Sequence, residues 1–238
     1  MSKNYSRIFA FGCSMTRYSW PTWADIYGSD AETFYNYGCS GAGNLFISNQ
    51  LVEASLRYNI GEGDKILLMW SSENRLDSYN NNSWLTPGNI QTQDSYSKDI
   101  VDLFSPRGLL IRDLAIIRMT EAFLQNLGCE YFVGIMQKFV ETDKDVFDLY
   151  DLKNFSCPSM LESVGGRWPE IPCTNWGNTF DYHPDPMMHY NFLDYAGLNP
   201  TESMKLFAKK WQERVDKYKT HQEVNWSDDI LGTEMVRL

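Results

Sequence analysis

Residues Ile66-Leu67-Leu68-Met69-Trp70 form an unbroken apolar run, entered from Lys65 and left at Ser71-Ser72. A strand with one wet face alternates apolar and polar residues, whereas a strand apolar at every position is covered on both sides. The run from Lys65 to Trp70 therefore predicts a central strand of a parallel sheet with helices on both faces. The flanking sequence alternates accordingly. Strands are expected at Arg7 to Phe11, Thr33 to Tyr37 and Cys129 to Met136. Helices are expected at Trp20 to Tyr27, with Pro21 in the first turn, and at Asn44 to Tyr58. A third should run from Leu109 to Leu127 and stop at Gly128, and a fourth from Thr201 to Tyr218, capped by Asn199 or Thr201. The expected architecture is a three-layer α/β/α sandwich with a mostly parallel sheet in flavodoxin-like order.

Two stretches break this rhythm. Residues 77–100 are rich in Asn, Ser, Gln and Tyr around Pro87-Gly88, and residues 137–179 carry Pro158, Gly165-Gly166, Pro169, Pro172 and Gly177. Both are too long for simple connections and read as lids or walls over a site. At 238 residues the chain suits one domain over residues 1–220 with these two inserts. A tail at 221–238 follows, whose Trp226 and Ile230 suggest packing on its own domain or self-association with a neighbouring subunit.

A net charge of −10 without a basic run argues against a nucleic-acid partner. No apolar stretch approaches the roughly 20 residues of a membrane span, and the apolar run after Lys3 and Arg7 is too short for a secretory leader. Five cysteines (Cys13, Cys39, Cys129, Cys157, Cys173) lack metal-ligand spacing and read as free thiols of a reducing, cytoplasmic compartment. Cys157 and Cys173 are the pair that export would permit.

The chemistry-bearing residues sit at strand ends. Gly12-Cys13-Ser14-Met15-Thr16 follows the first strand, where open α/β sheets place their sites. Ser14 there is either a nucleophile or an ordinary helix cap. After the second strand, Asn36-Tyr37-Gly38-Cys39-Ser40-Gly41-Ala42-Gly43 is a glycine loop able to offer backbone N–H groups to an oxyanion. It lacks the glycine spacing and the lysine of nucleotide loops. After the central strand, Ser72 or Asn74 could donate a further hydrogen bond. Near the other end, Asp181-Tyr182-His183-Pro184 places a carboxylate two residues before an imidazole, as a proton shuttle requires. Asp185 and His189 overlap it. The spacing of His183 and His189 is not a familiar chelate, so no metal is expected, and His189 reads as a helix-face residue.

Taken in order, these pieces resemble the SGNH/GDSL hydrolase superfamily. Gly12-Cys13-Ser14-Met15-Thr16 is similar to its Gly-Asp-Ser-x-Thr block, with Cys13 in place of aspartate. Asn36-Tyr37-Gly38-Cys39-Ser40-Gly41 resembles its Asn-x-Gly-x-Ser-Gly block, and Asp181-x-His183-Pro184 its Asp-x-x-His-Pro block, one residue shorter. The Gly-x-Asn-Asp block fits least well. The resemblance implies a serine esterase: Ser14 attacks, His183 shuttles the proton and Asp181 orients the imidazole. The amides of Ser14 and Gly41, with Asn74 or Ser72, would hold the oxyanion. It implies no cofactor or metal and a small-molecule or carbohydrate ester as substrate. Tyr79, Trp84, Tyr96, Trp168 and Trp176 would suit a sugar-stacking wall. The Gly-Cys-Ser start followed by Trp20 to Asp25 is also similar to bacteriophage-encoded SGNH-like proteins, which would allow a virion-associated location. The altered blocks leave a second reading open, a catalytically silent SGNH fold serving as a binding or structural module. A group transferase using the same triad is a third.

Overall fold

The computed structural model describes residues 5–92, 96–139, 144–151, 157–172 and 180–219. The strands in chain order are β1 (Arg7–Phe11), β2 (Thr33–Asn36), β3 (Asp64–Trp70), β4 (Ser78–Asn80), β5 (Ser83–Leu85), β6 (Glu130–Ile135), β7 (Ile171–Pro172) and β8 (Phe180–Asp181). The helices are α1 (Trp23–Gly28), α2 (Asn44–Tyr58), α3 (Lys98–Val101), α4 (Pro106–Asn126), α5 (Lys144–Leu149), α6 (Met160–Ser163), α7 (Pro186–Tyr195) and α8 (Glu202–Lys219).

The main sheet is parallel throughout, in the order β2-β1-β3-β6. The apolar run that defines β3 is buried along its whole length, paired with β1 from Arg7↔Asp64 to Phe11↔Leu68 and with β6 from Lys65↔Glu130 to Trp70↔Ile135. The chain leaves β1 for β2 on one side and then returns to β3 on the other. Right-handed crossovers in such an order put α1 and α2 on opposite faces of the sheet. The helices group accordingly, α1 with α7 and α8, and α2 with α4. Fully buried Phe9, Phe11, Trp23, Leu67, Trp70 and Phe192 fill the core. The direction of winding switches between β1 and β3, and doubly wound sheets open a crevice at the carboxyl ends of strands so placed. Among the described residues no helix is long and apolar enough to cross a membrane.

Several element boundaries differ from the sequence expectation for local reasons. Helix α1 begins after Pro21, not around it, because the Asp25 carboxylate accepts the Thr22 amide at 2.8 Å and fixes Thr22 as the cap. Helix α4 starts earlier, at Pro106, since Ser105 accepts the Gly108 amide and proline fits the first helical position. The helix face expected for His189 is that of α7, which Asp185 caps by accepting from the Met188 amide and Pro186 opens. Within residues 77–100, β4 and β5 form a tight hairpin turned by Asn81 and Asn82, both at positive φ. Asparagine tolerates the left-handed conformation that such two-residue turns demand. Cys173, Trp176 and the tail at 221–238 lie outside the described residues.

A polar network pins the layers where the crevice opens. Asn44, in the first turn of α2, accepts the Ser71 amide at 2.8 Å and donates to the Asp113 carboxylate of α4 at 2.7 Å. Arg112 Nε donates to the same carboxylate at 2.6 Å. Burial nonetheless pushes the Asp113 carboxyl up to about 6, the hydrogen bonds only partly opposing it. A carboxyl raised in the folded state adds stability that is complete below its unfolded value and is lost as pH rises through the folded one. Wild-type stability relative to Asp113→Asn is therefore expected to fall between about pH 4 and 7, by on the order of 1–3 kcal/mol. Urea unfolding of both proteins across that range measures it.

Candidate active site

Three loops leave the carboxyl ends of β1, β2 and β3 and converge on the crevice. The first is drawn into a turn after β1, with the Cys13 carbonyl accepting from the Thr16 amide at 2.9 Å and the Arg17 amide at 3.2 Å. Gly12 is required there, because a Cβ would fall 2.0 Å from the Thr16 hydroxyl. Cys13 is fully buried with its thiol 3.9 Å from the Met136 sulfur, a place where an aspartate would bury an unpaired charge. Ser14 follows at the cavity wall.

The second loop is tied to the first. Asn36, the last residue of β2, donates to the Thr16 carbonyl at 2.9 Å and accepts the Gly38 amide at 2.9 Å. The Cys39 amide donates to the Gly12 carbonyl at 3.0 Å. Asn36 also donates to Asp25, whose carboxyl burial pushes up against these bonds. Gly41 sits at φ +76° under the Thr86–Gly88 segment, and a Cβ there would lie 2.0 Å from the Thr86 carbonyl oxygen. Among the described residues, neither the Ser14 nor the Gly41 amide donates to another backbone carbonyl.

His183 enters from the far end of the chain. Its Nδ1 lies 2.8 Å from Asp181 Oδ1, and the same oxygen accepts the His183 amide at 2.9 Å. Asp181 is held in place by β8, which pairs antiparallel with β7. Its other oxygen accepts the Tyr18 hydroxyl, and the Tyr18 ring stacks on the imidazole at 3.7 Å between centroids. Tyr18 is itself braced edge-on by Trp20, whose indole donates to the Pro184 carbonyl at 2.8 Å. Burial raises the Asp181 carboxyl, but hydrogen bonds from His183 and Tyr18 outweigh it and hold it below the usual carboxylate range. An ionised Asp181 facing Nδ1 selects the tautomer protonated there and leaves Nε2 as the acceptor.

Ser14, Gly41 and His183 line one cavity of about 420 Å³, together with Arg75, Met136, Trp168 and the Thr86–Asn89 segment. Ser72 and Asn74 do not line it. The Ser72 hydroxyl lies 3.4 Å from the Asn74 amide, directed along its own loop, and the side chain that reaches the cavity from this loop is Arg75. Nothing in a strand-end Ser-Ser-Glu-Asn-Arg run distinguished Arg75 from its neighbours. Tyr18 was equally hidden, since its partners are more than 160 residues away. His189 lies on α7, fully buried, and burial lowers its imidazole to about 3. Among the described residues neither of its ring nitrogens has a hydrogen-bond partner. Of the aromatic residues in the inserts, Trp168 faces the same cavity as Ser14. Tyr79 and Trp84 line a separate hollow of about 400 Å³ beyond the Gly38–Cys39 backbone, and the Tyr96 hydroxyl is spent on the Leu76 carbonyl.

No protein-family model matches the chain, and no curated protein matches it significantly. Among solved structures it is similar to a member of the lipolytic protein G-D-S-L family from Veillonella parvula, at 16% identity and a TM-score of 0.44, over 81% of this chain and 97% of that one. It is also similar to a variant of an acetyl xylan esterase from Geobacillus stearothermophilus, at 13% identity and a TM-score of 0.43, over 82% and 95% of the two chains. Likenesses of this strength assign neither an activity nor a substrate. Those rest on the chemistry of the cavity.

Gly41 offers a direct test of how the cavity is built. Gly41→Ala must displace the Thr86–Gly88 segment and adopt a left-handed conformation. It is expected to cost about 1–3 kcal/mol in thermal unfolding. If the Gly41 amide serves an oxyanion, ester turnover should also fall by about 10²-fold.

Proposed function

We propose that the protein is a serine esterase of the SGNH/GDSL kind, cleaving an O-acyl ester through an acyl-serine intermediate. The observation that carries this reading is that His183, bonded to Asp181 and stacked on Tyr18, lines the same cavity as Ser14 and Gly41. Ser14 Oγ attacks the ester carbonyl while His183 Nε2 takes its proton, and the imidazolium that forms is stabilised by Asp181. The negative charge on the carbonyl oxygen is met by the Ser14 and Gly41 amides. His183 then returns the proton to the departing alcohol, and water repeats the sequence on the acyl-serine. With Ser72 and Asn74 off the cavity wall, the proposed oxyanion hole consists of those two amides.

A fluorophosphonate probe tests the reading, since it reacts with an activated serine and not with a capping one. The expected result is a single adduct on Ser14 by peptide mass spectrometry, together with hydrolysis of p-nitrophenyl acetate. An unmodified Ser14, where a control esterase is labelled fully, would overturn it.

A further inference from the structure

The cavity carries a charge opposite to that of the protein. The chain as a whole has a net charge of −10. Among the described residues lining the cavity, Arg75 is the one side chain with a permanent charge, and none is a carboxylate. Arg7, Arg57, Arg107, Arg112, Arg118 and Arg167 each pair with an acidic side chain. Arg17, on the separate hollow beyond Gly38–Cys39, and Arg75 have no ion pair among the described residues, and of these two it is Arg75 that lines this cavity. Its guanidinium donates from Nη1 to the Ala42 carbonyl at 2.9 Å and from Nη2 towards the Met136 sulfur at 3.6 Å. A thioether is a weak acceptor, so most of the five-donor fork is committed to nothing strong.

The surroundings hold this cation in place without neutralising it. Its own carbonyl accepts from Arg112 at 2.7 Å, and its backbone forms an antiparallel bridge with Asn89, which also lines the cavity. Asp77 lies within its field, but that carboxylate is turned to the Gly43 and Phe46 amides at 2.8 Å each. A fixed, half-buried guanidinium on a wall without carboxylates is a receptor for a planar oxyanion. We propose that Arg75 determines specificity, selecting esters that carry a free carboxylate on the part of the molecule away from the scissile bond. This deepens the esterase reading and rests on it. The carboxylate can belong to the acyl group, as in a dicarboxylic half-ester, or to the alcohol, as in a uronate or a hydroxy acid.

Matched ester pairs separate these sources and the proposal from its foundation. On the alcohol side, 4-acetoxybenzoate is compared with methyl 4-acetoxybenzoate. On the acyl side, mono-1-naphthyl adipate is compared with 1-naphthyl hexanoate. The readout is the ratio of kcat/KM for the charged ester to that for its neutral twin, taken within each protein. In the wild type one ratio should exceed unity by about tenfold or more, as for a charge-assisted bond, and should shrink with added salt. Arg75→Gln should bring that ratio to one or below, and Arg75→Lys should restore part of it. A purely structural clamp on Ala42 would alter both members of a pair alike, leaving the ratio unmoved in Arg75→Gln, and that result overturns the proposal. So does a wild type with no preference for either charged ester. Binding gives a readout that needs no turnover: in one of the two pairs Ser14→Ala should bind the charged ester more tightly than its neutral twin by calorimetry, and Ser14→Ala/Arg75→Gln should not. Equal binding within both pairs by Ser14→Ala rejects the carboxylate site. Absent turnover and labelling, with selective binding intact, rejects the esterase reading alone.

Discussion

Ser14→Ala is expected to lower kcat/KM for p-nitrophenyl acetate by about 10³-fold or more while leaving the fold intact. The size follows from what the substitution removes, the attacking atom itself. The Thr86 hydroxyl is given to the Ser40 carbonyl at 2.9 Å and the thiol of Cys13 is buried against Met136, while Ser40, which also lines the cavity, supplies the control variant, Ser40→Ala. Stability should move little, within about 0.5 kcal/mol of wild type. The turn that presents Ser14 is held by the Cys13 carbonyl, the Asn36 side chain and the close fit of Gly12 on Thr16, none of which uses the serine hydroxyl. The capping interpretation predicts the opposite pattern, about 1 kcal/mol of lost stability with no change in rate. Thr22, not Ser14, occupies the cap of the following helix. Parallel measurement of kcat/KM and of urea unfolding therefore distinguishes the two roles in one experiment.

The sheet was legible because its information is local. Ile66 to Trp70 announces a strand covered on both faces, and Arg7 to Phe11 announces its neighbour, so the parallel core and the position of the serine turn follow from short windows. The glycine loop was legible as a backbone able to approach closely, and the structure adds that Gly41 lies against the Thr86 carbonyl at φ +76°. What escaped was either overwritten or distant. Asp185-Pro186 is a helix start, but it lies inside a cluster whose Asp and His residues invite a chemical interpretation, so the bounds of α7 stayed unset although His189 reads as a helix-face residue. Asn81-Asn82 turns a hairpin without the glycine that usually signals one. Tyr18 and Arg75 acquire their significance only through partners that folding brings to them, the imidazole of His183 for one and the cavity wall for the other. The polar residues after β3 illustrate the same limit. Residue type favoured Asn74 and distance from the strand favoured Ser72, yet among these residues it is Arg75 that lines the cavity.

Asp181→Asn should be strongly damaging to activity, by about 10²–10⁴-fold in kcat, the range of general acid–base catalysis. The wild-type carboxylate accepts three hydrogen bonds, from the His183 amide, from Nδ1 and from the Tyr18 hydroxyl, and can do so only while ionised. An asparagine offers one oxygen and one NH2 group. With the oxygen kept at the Oδ1 position, where it meets both the His183 amide and Nδ1, the NH2 faces the Tyr18 hydroxyl, which turns to accept from it. The imidazolium formed when Nε2 takes the serine proton then faces a neutral amide and loses the charge that stabilises it. Tyr18→Phe separates orientation from charge: it keeps the stacked ring and removes one donor to Asp181, so a loss of about tenfold is expected. Stability provides a second readout with a definite sign. Because the Asp181 carboxyl is held below its ordinary value in the folded protein, its contribution is present above the unfolded carboxylate range and lost as pH falls through the folded value. The stability advantage of wild type over Asp181→Asn should therefore be widest near neutrality and close as pH drops below about 4. That trend runs opposite to the one expected for Asp113→Asn, so the two variants unfolded side by side across pH 3–8 identify which carboxyl the fold shifts towards the ionised form and which towards the protonated one.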